Sequence, residues 1–196
     1  MLNPLFLIQT VGIIGVIFII FAETGLFFGF FFPGDSLLFT AGLLASQDVL
    51  NIWVLFVCCV ISAILGDSVG YWSGKKYGRK FFNKDKNFFF KKKRLEDAEN
   101  FYKKHGKFTI IIARFIPVIR TFAPIVAGIG NMNYKIFISF NIIGGVFWVF
   151  LMLFSGYFLG EIIPNPDEYI LPIIFLIIII SFFPIFFKLI KLKIKK

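Results

Sequence analysis

Four charged side chains stand inside stretches that are otherwise uncharged and apolar, and their placement constrains the fold more than any other feature. Glu23 and Asp35 are the only charges from Leu5 to Gln47, and Arg114 and Arg120 the only ones from Phe108 to Tyr134. A charge at the centre of a bilayer costs about 2.5–3.5 kcal/mol on insertion scales, so four left alone in lipid would cost on the order of 10 kcal/mol. The fold must pair them, wet them, or use them to hold a charged substrate. In these two stretches they balance as two acids and two bases.

Composition places the stretches in a membrane. Mean hydropathy is +0.85, and thirty of the 196 residues are phenylalanine. A soluble domain cannot hide that much apolar surface, whereas a bilayer can. One membrane domain over 1–196 is expected. The first segment lacks a basic n-region and a small-residue cleavage site before Glu23, so it reads as a retained membrane helix. Cys58 and Cys59 are adjacent in an apolar run without partner cysteines or clustered histidines and read as inert thiols; neither metal nor cofactor is expected.

The net charge of +10 is unevenly spread. Thirteen of the 21 basic residues lie between Lys75 and Lys107, and five more between Lys188 and Lys196. Both clusters abut apolar spans, which is the positive-inside pattern, with attraction to anionic headgroups added. Membrane lipids, not nucleic acid, are therefore the expected partners of this charge. His105, the single histidine, falls in the basic loop and reads as an interfacial residue.

The apolar blocks are of two kinds. Residues 4–22, 49–73, 135–160 and 169–187 read as transmembrane helices. Residues 24–46 and 108–131 are apolar but broken, the first by Pro33-Gly34, the second by Pro117, Pro124, Gly128 and Gly130. Backbone freed by such residues must be buried in protein or line a cavity, so both read as re-entrant hairpins. Charge supports this. The loop 74–107 and the tail 188–196 are both basic and so both cytoplasmic. Only a re-entrant 108–131 returns the tail to that side. The same logic brings hairpin 24–46 in from the opposite face.

Opposed hairpins predict an inverted repeat. Ala41-Gly42 is followed 28 residues on by Gly70-Tyr71 and 32 on by Gly74; Ala127-Gly128 is followed at the same spacings by Gly156-Tyr157 and Gly160. Each half reads as hairpin, Ala-Gly, long span, Gly-Tyr-x-x-Gly. The expected fold class is all-α: a polytopic membrane protein of two inverted repeats, each a re-entrant hairpin plus a transmembrane helix, with additional flanking helices. Paired interrupted segments in two halves point to a transporter site near the midplane.

Hairpin 1 carries Glu23 at its entrance and Asp35 just after Pro33-Gly34; hairpin 2 carries Arg114 and Arg120 around Pro117. Six residues on a continuous helix would set the arginines some 240° apart, but Pro117 breaks that geometry and lets both guanidiniums converge on one cavity. Arginine suits anionic oxygen, being always charged, planar and able to donate two parallel hydrogen bonds to phosphate or carboxylate. The alternative role is a buried ion-pair network that only holds the hairpins together.

Pro33-Gly34-Asp35 after Glu23, the run Arg114-Phe115-x-Pro117-x-x-Arg120, Ala127-Gly128 and Gly156-Tyr157-x-x-Gly160 together resemble the DedA family, also called the SNARE-associated or VTT-domain superfamily. The resemblance covers roughly residues 20–162. It departs at Asp35, where many members carry Glu, which keeps the acid but shortens its reach. It implies a multi-pass bacterial inner-membrane protein with two opposed re-entrant hairpins. It further implies movement of undecaprenyl phosphate or other phospholipids, dependence on the proton-motive force, and a part in envelope integrity. On this basis Arg114 and Arg120 are expected to bind the phosphate, and Glu23 and Asp35 to compete for the same arginines and carry the coupling proton. A phospholipid scramblase or a non-transporting envelope assembly factor would use the same fold. An intramembrane enzyme is not expected, for want of a nucleophile and base pair at membrane depth. A homo-oligomer is compatible with every one of these readings.

Overall fold

The computed structural model describes residues 4–27, 29, 32–78 and 108–162. Most of the basic loop 74–107, the span 169–187 and the tail 188–196 lie outside the described residues. Every regular element among those described is helical: α1 (Pro4–Gly25), α2 (Gly34–Ala45), α3 (Ile52–Ser73) prolonged by a π-helical turn (Gly74–Gly78), a short helix over 108–113, α4 (Pro117–Ile129) and α5 (Tyr134–Ile162). Helices suit a lipid solvent because they satisfy their own backbone polar groups.

Among the described residues two helices are long and apolar enough to cross a membrane: α3 with its π turn, Ile52–Gly78, at 27 residues, and α5 at 29. Their outward faces are apolar. On α3 the exposed side chains Trp53, Val57, Ile61, Leu65 and Val69 recur every four residues, and on α5 Ile143, Phe147, Phe150 and Phe158 are exposed. A stripe of that size facing water would be an aggregation liability; facing lipid it costs nothing. The inward faces of α1, α2, α3 and α5 meet in a core that includes Ile20, Leu38, Cys59, Trp148 and Leu153. A smaller cluster around Tyr71, Ala127 and Phe137 joins α3, α4 and α5.

Packing is crossed between the two halves. The short helix α2 lies on α5, and α4 lies on α3. Glycine makes both contacts. A Cβ at Gly42 would fall 1.9 Å from the Leu153 carbonyl oxygen, and one at Gly156 would fall 2.0 Å from that of Phe39. On the other pair, a Cβ at Gly128 would fall 2.0 Å from the Tyr71 carbonyl oxygen, and one at Gly74 would fall 2.1 Å from that of Ile125. No larger residue fits at these four positions without separating the helices. In sequence spacing Gly42 corresponds to Gly128 and Phe39 to Ile125, and the partner positions differ only by one helical turn.

The breaks fall partly where the sequence placed them. Pro33 caps α2 and Gly34 opens it. Pro117 opens α4, the position where a missing N–H and a fixed φ are tolerated best. Pro124 and Gly128, expected as breaks, instead lie inside α4. Membrane helices tolerate such residues when neighbouring protein covers the freed backbone; here Pro124 packs near Gly70 of α3. The chain reverses after α2 and after α4 through Asp48 and Asn131, both with left-handed backbone (φ 58° and 51°), a conformation the Asp/Asn pair adopts more readily than most residues.

Candidate functional site

Glu23 lies in the last turn of α1 rather than in a hairpin, and Asp35 in the first turn of α2. The chain between them folds so that both carboxylates meet Arg120 of α4. Arg120 Nη1 donates to Asp35 Oδ1 at 2.5 Å, and Arg120 Nη2 donates to Glu23 Oε1. Trp148 of α5 donates from Nε1 to the same Asp35 oxygen at 2.8 Å, and its ring lies 4.6 Å below the Arg120 guanidinium. One arginine is thus held by two acids and one aromatic face, with residues from four helices.

Local sequence explains this convergence. A Cβ at position 34 would sit 1.5 Å from Glu23 Oε2, so only glycine lets the Glu23 carboxylate lie against the start of α2. Asp35 in that first turn also faces the positive end of the α2 dipole. The Pro-Gly-Asp sequence therefore fixes a helix start, a space for the first acid, and the second acid.

Arg114 takes a different set of partners. It sits in the turn between the 108–113 helix and α4, and its Nη2 donates to Asp67 of α3 and to Asn141 Oδ1 of α5. Asn141 in turn donates from Nδ2 to the Ile64 carbonyl at 3.3 Å. The arginine side chain threads past Gly144 and Gly145, where a Cβ would lie 3.0 and 3.4 Å from it. Both arginines are almost fully buried, at 3% and 5% exposure.

Two expectations are corrected here. The arginines do not share the carboxylates Glu23 and Asp35, which both go to Arg120. Nor do the acids stop at two: among the described residues Asp67, 3% exposed, joins Glu23 and the partly exposed Asp35 and makes three acids against two bases. Asp67 was legible, being the only charge between residues 49 and 73; the same cost that singles out the other four applies to it. Trp148 and Asn141 carried no comparable signal, since a tryptophan or asparagine in a membrane helix is unremarkable by type. Among the described residues no group of three or more His, Cys, Asp or Glu could hold a metal.

The site retains unused hydrogen-bonding capacity. Glu23 Oε2, Arg120 Nε, Arg114 Nε, and the Ser36 and Thr121 hydroxyls are buried without partners. Leaving buried polar groups unpaired is costly, and such groups call for an explanation. Two guanidiniums that keep free N–H groups while gripping carboxylates are chemically able to exchange those carboxylates for another oxyanion.

A VTT domain matches residues 32–158 of the chain. Protein DedA of Escherichia coli (strain K12) is 45% identical over 168 residues, covering 85% of this chain and 76% of that protein. An uncharacterized membrane protein of Mycobacterium leprae (strain TN) is 41% identical over 183 residues, covering 89% and 82%. Inner membrane protein YqjA of Escherichia coli (strain K12) is 32% identical over 143 residues, covering 73% and 65%. No solved structure matches the chain.

Proposed function

The chain belongs to the DedA family of VTT-domain membrane proteins, and from that premise we propose that it carries a lipid phosphate across the bacterial inner membrane, with undecaprenyl phosphate as first choice and a proton as the coupling ion. The observation that carries this reading is the Arg120 guanidinium, buried at the meeting of four helices and held by two carboxylates. A phosphate presents the same planar pair of acceptor oxygens as a carboxylate and can take either one's place on the fork. In the empty state Glu23 and Asp35 together hold Arg120, with one negative charge in excess. Protonating one of them frees the guanidinium for the headgroup; losing that proton towards the other face expels it. Arg114 offers a second guanidinium to the same class of ligand. The lipid moves and no bond in it breaks, so the activity is transport rather than catalysis.

The same proposal includes two opposed re-entrant hairpins in an inverted repeat. What supports it is the crossed packing of α2 on α5 and α4 on α3 through equivalent glycines, one helical turn apart. The basic loop and the C-terminus then lie in the cytoplasm. Single cysteines placed within 83–100 and after Lys193 are expected to react with an impermeant maleimide only from the cytoplasmic side, and one near Asn165 only from outside. Labelling of loop and tail from opposite faces would refute the second hairpin.

Binding to purified protein in phosphatidylcholine nanodiscs tests the substrate class. Undecaprenyl phosphate and phosphatidic acid are expected to bind, whereas undecaprenol is not. Equal binding of undecaprenol would favour a scramblase indifferent to headgroup, and no binding of either phosphate would favour a non-transporting assembly factor.

A further inference from the structure

Asp67 has no place in the scheme above, yet it is a buried acid that the fold brings to an arginine. Asn141 braces the pair from α5 by accepting from the same Arg114 nitrogen and anchoring its own amide on Ile64. The two arginines therefore have separate counter-ions: Glu23 and Asp35 on Arg120, Asp67 on Arg114. Counted as ionised, the Arg114 seat is neutral, while the Arg120 seat carries one surplus negative charge.

We propose that Asp67 is a positioning residue of the transport site: it occupies Arg114 in the empty state, yields it to an anionic lipid headgroup, and takes up a proton as it is displaced. This rests on the lipid-phosphate reading and adds to it a third exchanging acid. An anion that takes Arg114 Nη2 must replace Asp67 or Asn141, because that nitrogen is committed to both. Once displaced, Asp67 would be a bare carboxylate 3% exposed in the protein interior. A bare buried carboxylate neutralises itself by binding a proton.

The surroundings leave that proton few other destinations. Arg114 approaches Asp67 from the turn before α4, Arg120 stands farther off on α4, and Asn141 faces it from α5. In the described part of α1 the sole titratable side chain is Glu23, and in α2 it is Asp35; both are engaged with Arg120. On α3 and its π turn the other ionisable groups are Cys58 and Cys59 and, nearer the far end, Tyr71, Lys75, Lys76 and Tyr77; on α5 they are Tyr134, Lys135, Tyr157 and Glu161 near the helix ends.

Undecaprenyl phosphate binding in phosphatidylcholine nanodiscs, followed from pH 5.5 to 8.5, tests this with the full-length protein. Wild type that binds no lipid phosphate would defeat the underlying reading. Given wild-type binding, Asp67→Asn is expected to bind on the order of tenfold tighter at neutral pH, the scale of one charge-assisted hydrogen bond no longer in competition. The slope of log Kd against pH should fall by about one proton relative to wild type. Asp67→Glu keeps the acid and should retain the wild-type slope. Unchanged affinity and slope in Asp67→Asn would overturn the inference and leave the lipid-phosphate reading standing. If Asp67→Asn does not accumulate, Asp67→Asn/Arg114→Gln decides, since it restores neutrality. Loss of one phosphate seat predicts weaker binding with a reduced slope, and a purely structural pair predicts wild-type binding with the wild-type slope.

Discussion

Arg120→Lys is expected to abolish transport while the protein still inserts and accumulates. The structure makes this substitution severe because Arg120 uses its shape as much as its charge. One nitrogen serves Asp35, the other serves Glu23, and the plane between them lies on the Trp148 ring. Lysine keeps the charge, so the two acids are not left bare, but it offers one point of donation in place of a fork. Losing one charge-assisted hydrogen bond is worth about 1.5–3 kcal/mol, roughly 10- to 100-fold in affinity for an oxyanion. Arg120→Ala should be worse for stability, leaving two buried carboxylates without a counter-ion. Arg114→Lys should also impair activity, although Asp67 and Asn141 would still hold a point charge. Expression level and lipid-phosphate binding on the same preparations check the prediction. Full activity of Arg120→Lys would argue against a phosphate clamp.

Glu23→Gln and Asp35→Asn are expected to separate binding from coupling. Each keeps size and hydrogen bonding but removes a titrating group and a competitor for Arg120. If the acids carry the coupling proton, both variants should bind lipid phosphate at least as well as wild type and fail to use a pH gradient. If they are only structural counter-ions, each should accumulate less than wild type, because one of the two charge-assisted hydrogen bonds that hold Arg120 is weakened. The two substitutions should differ in degree. Asp35 also accepts the Trp148 N–H, so Asp35→Asn disturbs the aromatic platform beneath Arg120 as well. Glu23 has a second carboxylate oxygen with no partner, so Glu23→Gln should be the milder change structurally. A variant that accumulates normally and transports with an unchanged pH dependence would remove the coupling role from that residue.

The parts of this molecule that were legible in its sequence are those where lipid imposes a large penalty. Charges at membrane depth identified Glu23, Asp35, Arg114 and Arg120, and the structure buries all but Asp35, which stays partly accessible. The proline and glycine positions located the starts of α2 and α4. Gly42, Gly128, Gly156 and Gly74, read in the sequence as signs of a repeat, lie where the helix backbones come too close for a Cβ. What the sequence left undecided is which acid meets which base. Pairing depends on the turn at 114–116, which sends Arg114 towards α3 and α5 and leaves Arg120 to face α1 and α2. A six-residue spacing with a proline in the middle permits convergence or divergence, and only tertiary contacts choose. Pro124 was misread for a related reason: a proline breaks an isolated helix, but within a packed membrane segment its neighbours allow the helix to continue.

Transport measured in vesicles that contain only purified protein and labelled undecaprenyl phosphate tests the central claim most directly, with a pH gradient imposed across the membrane and Glu23→Gln as the paired sample. Exchange of carboxylate for phosphate on Arg120 predicts that intact undecaprenyl phosphate crosses, that reversing the gradient reverses the net movement, and that Glu23→Gln loses this response while still binding the lipid. Movement of undecaprenol as fast as the phosphate, with no response to the gradient in wild type, would contradict it.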